Sequence, residues 1–448
     1  MTQSHYLIAG LGKTGFSIAR HLQRQNKPFI VFDTRKQPPE LERFQQLFPE
    51  SEVILGTVPV ALYPKLKAVI ASPGVSLEDP SVQQARALNI PVYGDIECFA
   101  REVKAPVVAI TGTNGKSTVT TLVGEMAKAA GFSVAVAGNI GAPVLDLLED
   151  GSNYDLWVLE LSSFQLDLTS SLKPIAATIL NISTDHLDRH HTFDAYLQAK
   201  QRIYQHAAYA VYNRADPHTA PQVAMPATIT IEDFSLQSPL RAKDWGVITN
   251  EAGTYLAYGD KAFLSVEELG LKGKHNWENA LAASALALKA GVPWEAIVKT
   301  LTTFQGLPHR CQWVRTLRGI HWINDSKGTN VGATASAICG IGDAIDGKIV
   351  LIAGGQGKGA DFKELTKPVE NYVRALILIG EDAPKIAADL TGVAPMCRAS
   401  SLEEAILLAE QQASSGDVVL LSPACASFDM FQDYVHRGDV FAQLVAAR

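Results

Sequence analysis

The sequence predicts an α/β protein of about three domains built on parallel sheets, and three observations carry that prediction. Short apolar runs alternate along the chain with longer stretches whose apolar residues recur at helical spacing. Many of those runs end in glycine or a polar residue, the pattern of buried parallel strands that open into ligand loops. Finally, 448 residues divided by roughly 150 per domain gives about three.

The elements follow in order. Residues 5–12 (HYLIAGLG), 28–33 (PFIVFD) and 66–74 (LKAVIASPG) read as the strands of a first βαβ segment. A boundary falls near 94–100, after which 105–112 (APVVAITG) runs straight into a glycine-rich loop. Residues 132–139, 154–161 and 176–181 continue the second segment as strands. A less regular stretch, 213–270, holds a hairpin at 245–258, and a helix with a glycine stop follows at 276–291. A third segment opens near 305 and carries strands at 319–326, 347–355, 372–380 and 417–424.

Composition removes whole classes. Hydrophobic residues make up 47% and charged residues 19%, which is globular rather than disordered. The formal charge of −7 argues against a nucleic-acid or anionic-membrane binder, yet leaves room for a local basic funnel for a phosphorylated small molecule. The N-terminus lacks a basic signal flank, and no apolar run reaches the ~18 residues of a spanning helix. Five widely spaced cysteines (Cys98, Cys311, Cys339, Cys397, Cys425) contain no C-x-x-C pair, so a disulfide framework or structural zinc is not expected. A cytoplasmic, membrane-free protein without nucleic-acid partners is the expectation.

Two loops carry chemistry. Gly10-Leu11-Gly12-Lys13-Thr14-Gly15 follows a strand and opens a helix, with Asp33 at the end of the next strand. The first glycine allows the turn, the second a close phosphate, the third close helix packing. On its own this leaves open a dinucleotide, another nucleotide diphosphate, or structural glycines. The second loop, Thr111-Gly112-Thr113-Asn114-Gly115-Lys116-Ser117-Thr118, points to ATP or a related triphosphate. Backbone N–H groups and a helix start face phosphate oxygens, lysine reaches the terminal phosphates, and Ser117 offers a hydroxyl to Mg²⁺. The strict G-x-x-x-x-G-K-[ST] pattern fails only at Ile110. Glu160 ends a strand, and Asp185-His186 lies just beyond another, where a parallel sheet delivers groups to its crevice. His190 and His191 read as structural. By composition alone, Lys200 reads as a surface helix lysine.

These motifs, together with Gly138-Asn139-Ile140-Gly141, Glu160-Leu161-Ser162-Ser163-Phe164-Gln165-Leu166 and Asn181-Ile182-Ser183-Thr184-Asp185-His186-Leu187-Asp188, resemble the Mur ligases of peptidoglycan synthesis along essentially the whole chain. The pattern is most similar to the branch that joins D-glutamate to UDP-N-acetylmuramoyl-L-alanine. The resemblance implies a Rossmann-like N-terminal domain for the UDP substrate (1–95), a central P-loop ATPase-like domain with a mostly parallel sheet for ATP (96–305), and a C-terminal Rossmann-like α/β domain for the amino acid (306–448). A monomer using ATP and Mg²⁺ is implied.

Carried across residue by residue, Gly12, Lys13 and Thr14 would hold the UDP diphosphate, with Asp33, Thr34 and Arg35 near the uracil end. Gly74 and Asn139 would help hold the muramoyl substrate. Gly112, Thr113, Asn114, Gly115, Lys116, Ser117 and Thr118 would grip ATP, joined by Asn276, Arg310 and Asp325. Ser117, Glu160, His186 and Lys200 match the metal site, Lys200 as a carbamate. Lys327, Thr329 and Lys358 resemble residues around D-glutamate and the γ-phosphate, and Ser427 with Phe428 those at the amino acid's carboxylate. Lys116, His186, Lys200 and Lys358 are the implied catalytic set, with His186 also a candidate base for the amine. The sequence departs from the family at Gln312 and Gln356, where an acidic residue is expected, and at Tyr434, where phenylalanine is common. Rival readings are a sister ligase for another amino acid, a folylpolyglutamate synthase, which shares the ATP core but needs no UDP domain, and an NAD-dependent oxidoreductase, which leaves the phosphate loop idle.

Overall fold

The computed structural model describes residues 5–222, 229–271, 273–343, 345–357 and 359–448, without the side chain of Asp188. Among these residues the chain carries three sheets. The first contains β1 (His5–Ala9), β2 (Phe29–Asp33), β3 (Val53–Leu55), β4 (Leu66–Ala71) and β5 (Val92–Tyr93). They are parallel in the order β3-β2-β1-β4-β5, a doubly wound order that reverses between β1 and β4.

The second sheet contains β6 (Val107–Thr111), β7 (Val134–Gly138), β8 (Leu156–Glu160), β9 (Ala176–Ile179), β10 (Tyr209–Asn213), β11 (Thr230–Phe234), β12 (Trp245–Asn250), β13 (Gly253–Tyr258) and β14 (Lys261–Ser265). Its order is β14-β13-β12-β11-β10-β9-β6-β8-β7. The strands from β7 to β11 pair in parallel, and β12 with β13 forms the antiparallel hairpin expected from 245–258. The third sheet contains β15 (Gln312–Leu317), β16 (Ile320–Asn324), β17 (Ile349–Gly354), β18 (Val373–Ile379), β19 (Met396–Arg398) and β20 (Val418–Leu421), in the order β15-β16-β20-β17-β18-β19. Only its edge strand β15 runs antiparallel to its neighbour.

By proximity the chain forms two compact units. One comprises Met1–Ile182, Arg189–Phe263 and Ala280–Thr300; the other comprises Ser183–Asp188, Leu264–Asn279 and Leu301–Arg448. In the first unit one continuous core joins the first two sheets, from Tyr6, Phe16 and Phe44 through Phe99 to Trp157 and Leu159. Phe99 meets Trp157 edge-on, with ring centroids 4.7 Å apart. Burying each such side chain contributes about 1.5–3 kcal/mol. Polar bonds from the helix Lys13–Arg24 reinforce the join: Ser17 Oγ donates to Asp146 (2.7 Å), and His21 Nδ1 lies 2.5 Å from Glu149. In the second unit β17 is apolar on both faces. Ile349, Leu351 and Ala353 enter one core, and Val350 and Ile352 the other, as a central parallel strand requires. The five cysteines are free thiols, and no described helix is long and apolar enough to cross a membrane.

Candidate functional site

The phosphate loop follows β6 at the C-terminal edge of the second sheet, beside β8 and β9. The loop turns through Gly112 (φ +150°) and Gly115 (φ +81°), conformations that favour glycine. Gly115 then caps the helix Lys116–Ala129, so its first N–H groups face the loop. Asn181 pins the outer turn: its carbonyl accepts from Thr113 N–H (2.9 Å), and its side chain bonds both backbone groups of Asn114 (2.8 and 3.1 Å). Lys116 Nζ donates to the carbonyls of Gly112 (2.9 Å) and Thr113 (2.8 Å).

Glu160, at the end of β8, is 2% exposed. Its carboxylate accepts from Ser117 Oγ (2.5 Å) and from Asn139 Nδ2 (2.8 Å). Close approach of the β7 end makes this possible, because a Cβ on Gly138 would sit 2.1 Å from the Glu160 carbonyl oxygen. Among the described residues no three His, Cys, Asp or Glu side chains converge as a metal cage. Mg²⁺ takes few protein oxygens and keeps waters and phosphate oxygens, so the touching Ser117 hydroxyl and Glu160 carboxylate suit it.

Lys200 corrects its composition-based reading as a surface lysine. It is 2% exposed, and its ammonium donates to Gly112 O (2.8 Å) and Thr111 Oγ1 (3.3 Å), 4.7 Å from the Tyr196 ring centroid. Tyr196, four residues earlier on the helix Phe193–Gln201, also bonds Thr113 Oγ1 (3.0 Å). Tyr196 is not among the residues the sequence singles out, although a tyrosine four residues before Lys200 on one helix is a usable signal.

In the first glycine loop the glycines differ in the room around them. A Cβ on Gly15 would sit 1.8 Å from Gly10 O, whereas one on Gly12 meets nothing within 4 Å. Lys13 and Thr34 are exposed and Thr14 half-buried. Asp33 is buried and serves the loop itself: it accepts from Leu11 N–H (2.8 Å), Arg35 N–H (2.9 Å) and the Arg35 guanidinium (2.7 and 2.9 Å). Burial raises its pKa, but the Arg35 side chain and the two N–H groups outweigh that and hold it below the ordinary carboxylate value. Gly74 is exposed, its loop tied down by Arg189, which donates to Gly74 O (3.3 Å) and Val75 O (3.0 Å).

In the second unit the end of β16 collects several candidates. Asp325 is 7% exposed and accepts from Cys311 N–H (3.1 Å) and Ser422 Oγ (2.7 Å); burial pushes its pKa up to about 6. Arg310 stands among left-handed neighbours, His309 (φ +62°) and Cys311 (φ +43°). Gln312 steadies that turn by accepting from His309 N–H (3.0 Å). Lys327 N–H donates to His309 O (3.0 Å), Thr329 N–H donates to Lys327 O (2.8 Å), and Ala424 N–H donates to Gly328 O (2.8 Å), joining this loop to the one before Ser427. Ser427 is buried, while Phe428 is 66% exposed. Asn276 is buried at the start of the helix Lys274–Lys289, its Oδ1 accepting from Asn279 (3.0 Å). His186 has φ +54°; its N–H donates to Asp185 Oδ1 (2.9 Å), and Asp185 also accepts from Asn330 (3.3 Å). Gln356 donates to Glu381 (3.1 Å), a contact an acidic residue would turn into repulsion. Lys358 lies outside the described residues.

The fold and these loops define a multidomain α/β protein with a glycine-rich loop between β6 and the helix Lys116–Ala129. Family comparison sharpens that. The Mur ligase MurD-like N-terminal domain matches residues 4–94, the Mur ligase middle domain 110–287, and the Mur ligase glutamate ligase domain 309–425. The chain belongs to the Mur ligase family, in its MurD-like branch, with the three-domain α/β architecture of that family. It is 60% identical over 445 residues, 99% of each chain, to the UDP-N-acetylmuramoylalanine–D-glutamate ligase of Legionella pneumophila strain Philadelphia 1. It is 48% identical over 439 residues to the Pseudomonas aeruginosa protein of the same name, covering 98% of this chain and 97% of that one. Among solved structures it shares the fold of the Thermotoga maritima UDP-N-acetylmuramate-alanine ligase MurC (TM-score 0.59, 19% identity, 99% of each chain). It likewise shares that of a Methanothermus fervidus pseudomurein peptide ligase type C (TM-score 0.58, 19% identity, 99% of each chain).

Proposed function

We propose that this chain is an ATP-dependent carbon–nitrogen ligase that adds D-glutamate to UDP-N-acetylmuramoyl-L-alanine, releasing ADP and phosphate, in cytoplasmic synthesis of peptidoglycan precursors. The observation that carries the reading is 60% identity, end to end, to a D-glutamate ligase in a chain that keeps the phosphate loop with Ser117 against Glu160. In this reading residues 1–95 bind the UDP substrate, 96–305 bind ATP and 306–448 bring the amino acid, and the enzyme acts as a monomer.

A carboxylate is a poor electrophile, so its oxygen must first become a leaving group. The substrate's alanine carboxylate attacks the γ-phosphorus of ATP, giving an acyl phosphate and ADP. The amine of D-glutamate then attacks the acyl carbon, and the tetrahedral adduct expels phosphate. Lys116, Arg310 and Lys358 offset the charge that builds on the phosphoryl oxygens, a preorganised electrostatic effect. Ser117, Glu160, His186 and Lys200 would hold Mg²⁺, which when bound supplies further charge neutralisation at the phosphates. Carbamylation would convert Lys200 from a cation into an anionic ligand while leaving one N–H for Gly112 O. Gly12, Lys13 and Thr14 would take the diphosphate, Gly74 and Asn139 the muramoyl part, and Asn276 and Asp325 the nucleoside of ATP. Lys327, Thr329, Ser427 and Phe428 would take D-glutamate, whose two carboxylates suit basic and hydroxyl groups. His186 is also a candidate for deprotonating the amine.

Phosphate release measured across a matched panel of UDP-muramoyl acceptors and amino acids tests this. Turnover that requires both D-glutamate and UDP-N-acetylmuramoyl-L-alanine is expected; indifference to either refutes it. Positional isotope exchange within ATP, dependent on the acceptor carboxylate, tests the acyl phosphate step.

A further inference from the structure

The helix Tyr434–Ala446 grips the loop that carries Lys327 through its first turn. Ser326 Oγ donates to Tyr434 O (2.8 Å). Arg437 Nε donates to Ser326 Oγ (2.9 Å), and its terminal nitrogens donate to Ser326 O (2.7 Å) and Cys425 O (3.2 Å each). One guanidinium therefore ties the residue before Lys327 to the loop that leads into Ser427. Tyr434 and Arg437 are three apart and share a helix face. From that face the Tyr434 ring meets the Lys327 ammonium, with Nζ 3.7 Å from the ring centroid. The next turn joins the same grip, as Asn324 Nδ2 donates to Gly438 O (3.0 Å).

Arg437 is 1% exposed, and its hydrogen-bond partners are neutral oxygens. A buried guanidinium that hydrogen-bonds no carboxylate among the described residues, though the Asp429 and Asp325 charges act on it, is a poor way to stabilise a fold, because apolar packing serves as well or better. A planar fork that fixes two backbone loops in register is what a guanidinium does and a hydrocarbon cannot.

We propose that Tyr434 and Arg437 are positioning residues: Arg437 fixes the Ser326 and Cys425 backbones, and Tyr434 holds the Lys327 ammonium, so that Lys327 and Ser427 meet D-glutamate at a set spacing. The inference rests on the ligase reading above, with Lys327 and Ser427 as amino-acid contacts.

Steady-state KM values for D-glutamate, ATP and the UDP substrate, in full-length variants, test it. Tyr434→Leu removes the ring face and is expected to raise KM for D-glutamate roughly tenfold, the scale of a partly desolvated cation–π contact, with KM for ATP unchanged. Tyr434→Phe keeps the face and stays near wild type. Lys327→Met combined with Tyr434→Leu is no worse than Lys327→Met alone, since the ring then has no ammonium to hold. Arg437→Lys keeps the charge but loses the fork and raises KM for D-glutamate selectively; Arg437→Met is avoided because it strips donors from buried oxygens. An unchanged KM for D-glutamate in Tyr434→Leu, an equal rise in all three KM values, or a Tyr434→Phe variant as impaired as the leucine overturns the positioning role. A wild-type enzyme without D-glutamate-dependent phosphate release overturns the ligase reading itself and the inference with it.

Discussion

Asp325, proposed to meet ATP, is buried in a way that would set stability against activity, and the trade can be measured. Its carboxyl is buried against Cys311 and Ser422, and burial lifts its pKa from 3.8 to about 6, offset in part by the Ser422 hydroxyl and the Cys311 N–H. The folded chain therefore keeps this proton at pH values where the unfolded chain has lost it. Its contribution to stability falls as pH rises from about 4 to about 6 and stays at the lower level above that. Two pKa units correspond to about 3 kcal/mol at most. The Asp325→Asn variant removes the charge and keeps the shape, with Oδ1 still able to accept from Cys311 N–H and the Ser422 hydroxyl free to turn and accept.

Urea unfolding of both proteins near pH 4 and near pH 7.5 reads the difference. The two should be close in stability at the acid end, while at the neutral end the variant should be more stable, by up to about 3 kcal/mol. Activity should move the other way: losing a charged hydrogen-bond acceptor proposed to meet ATP raises its KM roughly 10–100-fold. A gap in stability that does not change with pH, or a variant weaker than wild type at neutral pH, refutes the reasoning.

Gly15→Ala places a Cβ 1.8 Å from Gly10 O; it should cost about 1–3 kcal/mol in denaturant unfolding and raise KM for the UDP substrate but not for ATP. Glu160→Gln breaks the acceptor pair that Ser117 and Asn139 share, and phosphate release titrated against Mg²⁺ should show a loss of about a hundredfold or more with a higher Mg²⁺ requirement. Gln356→Glu sets a carboxylate against Glu381 and should cost about 0.5–1 kcal/mol in thermal unfolding, a loss that shrinks as salt is added.

The sheets were legible where burial is two-sided. Strands such as β4, β6, β8, β17 and β18 are near-continuous apolar runs, and a one-dimensional pattern suffices to find them. Strands that escaped notice are short or half-exposed, such as β3, β5 and β19, or carry charges inside. β11 (TIEDF) is the instructive case. Acidic residues are depleted in strands, yet Glu232 is buried against Lys289, and Asp233 against Arg214 and Arg241. Partners outside the strand, 8 to 57 residues away, cannot be read from five letters.

The site divides the same way. A phosphate loop is contiguous, so its chemistry is written in order along the chain. Asp33 looks ligand-facing by position, but its oxygens are taken by Leu11 and Arg35, a consequence of how the loop folds back. Arg437 carries no local signal at all; its meaning comes from Ser326 and Cys425. Lys200 is the sharpest example. By residue type and helix position it reads as a solvated lysine, yet it shares the Gly112 carbonyl with Lys116. Two ammonium groups on one oxygen repel each other in a buried site. The proposed carbamylation of Lys200 would replace its ammonium with an anionic carbamate, relieving that repulsion and leaving Lys116 as the cation. The charge state that would suit Lys200 is thus tied to a residue 84 positions away, through the carbonyl of a glycine in the phosphate loop.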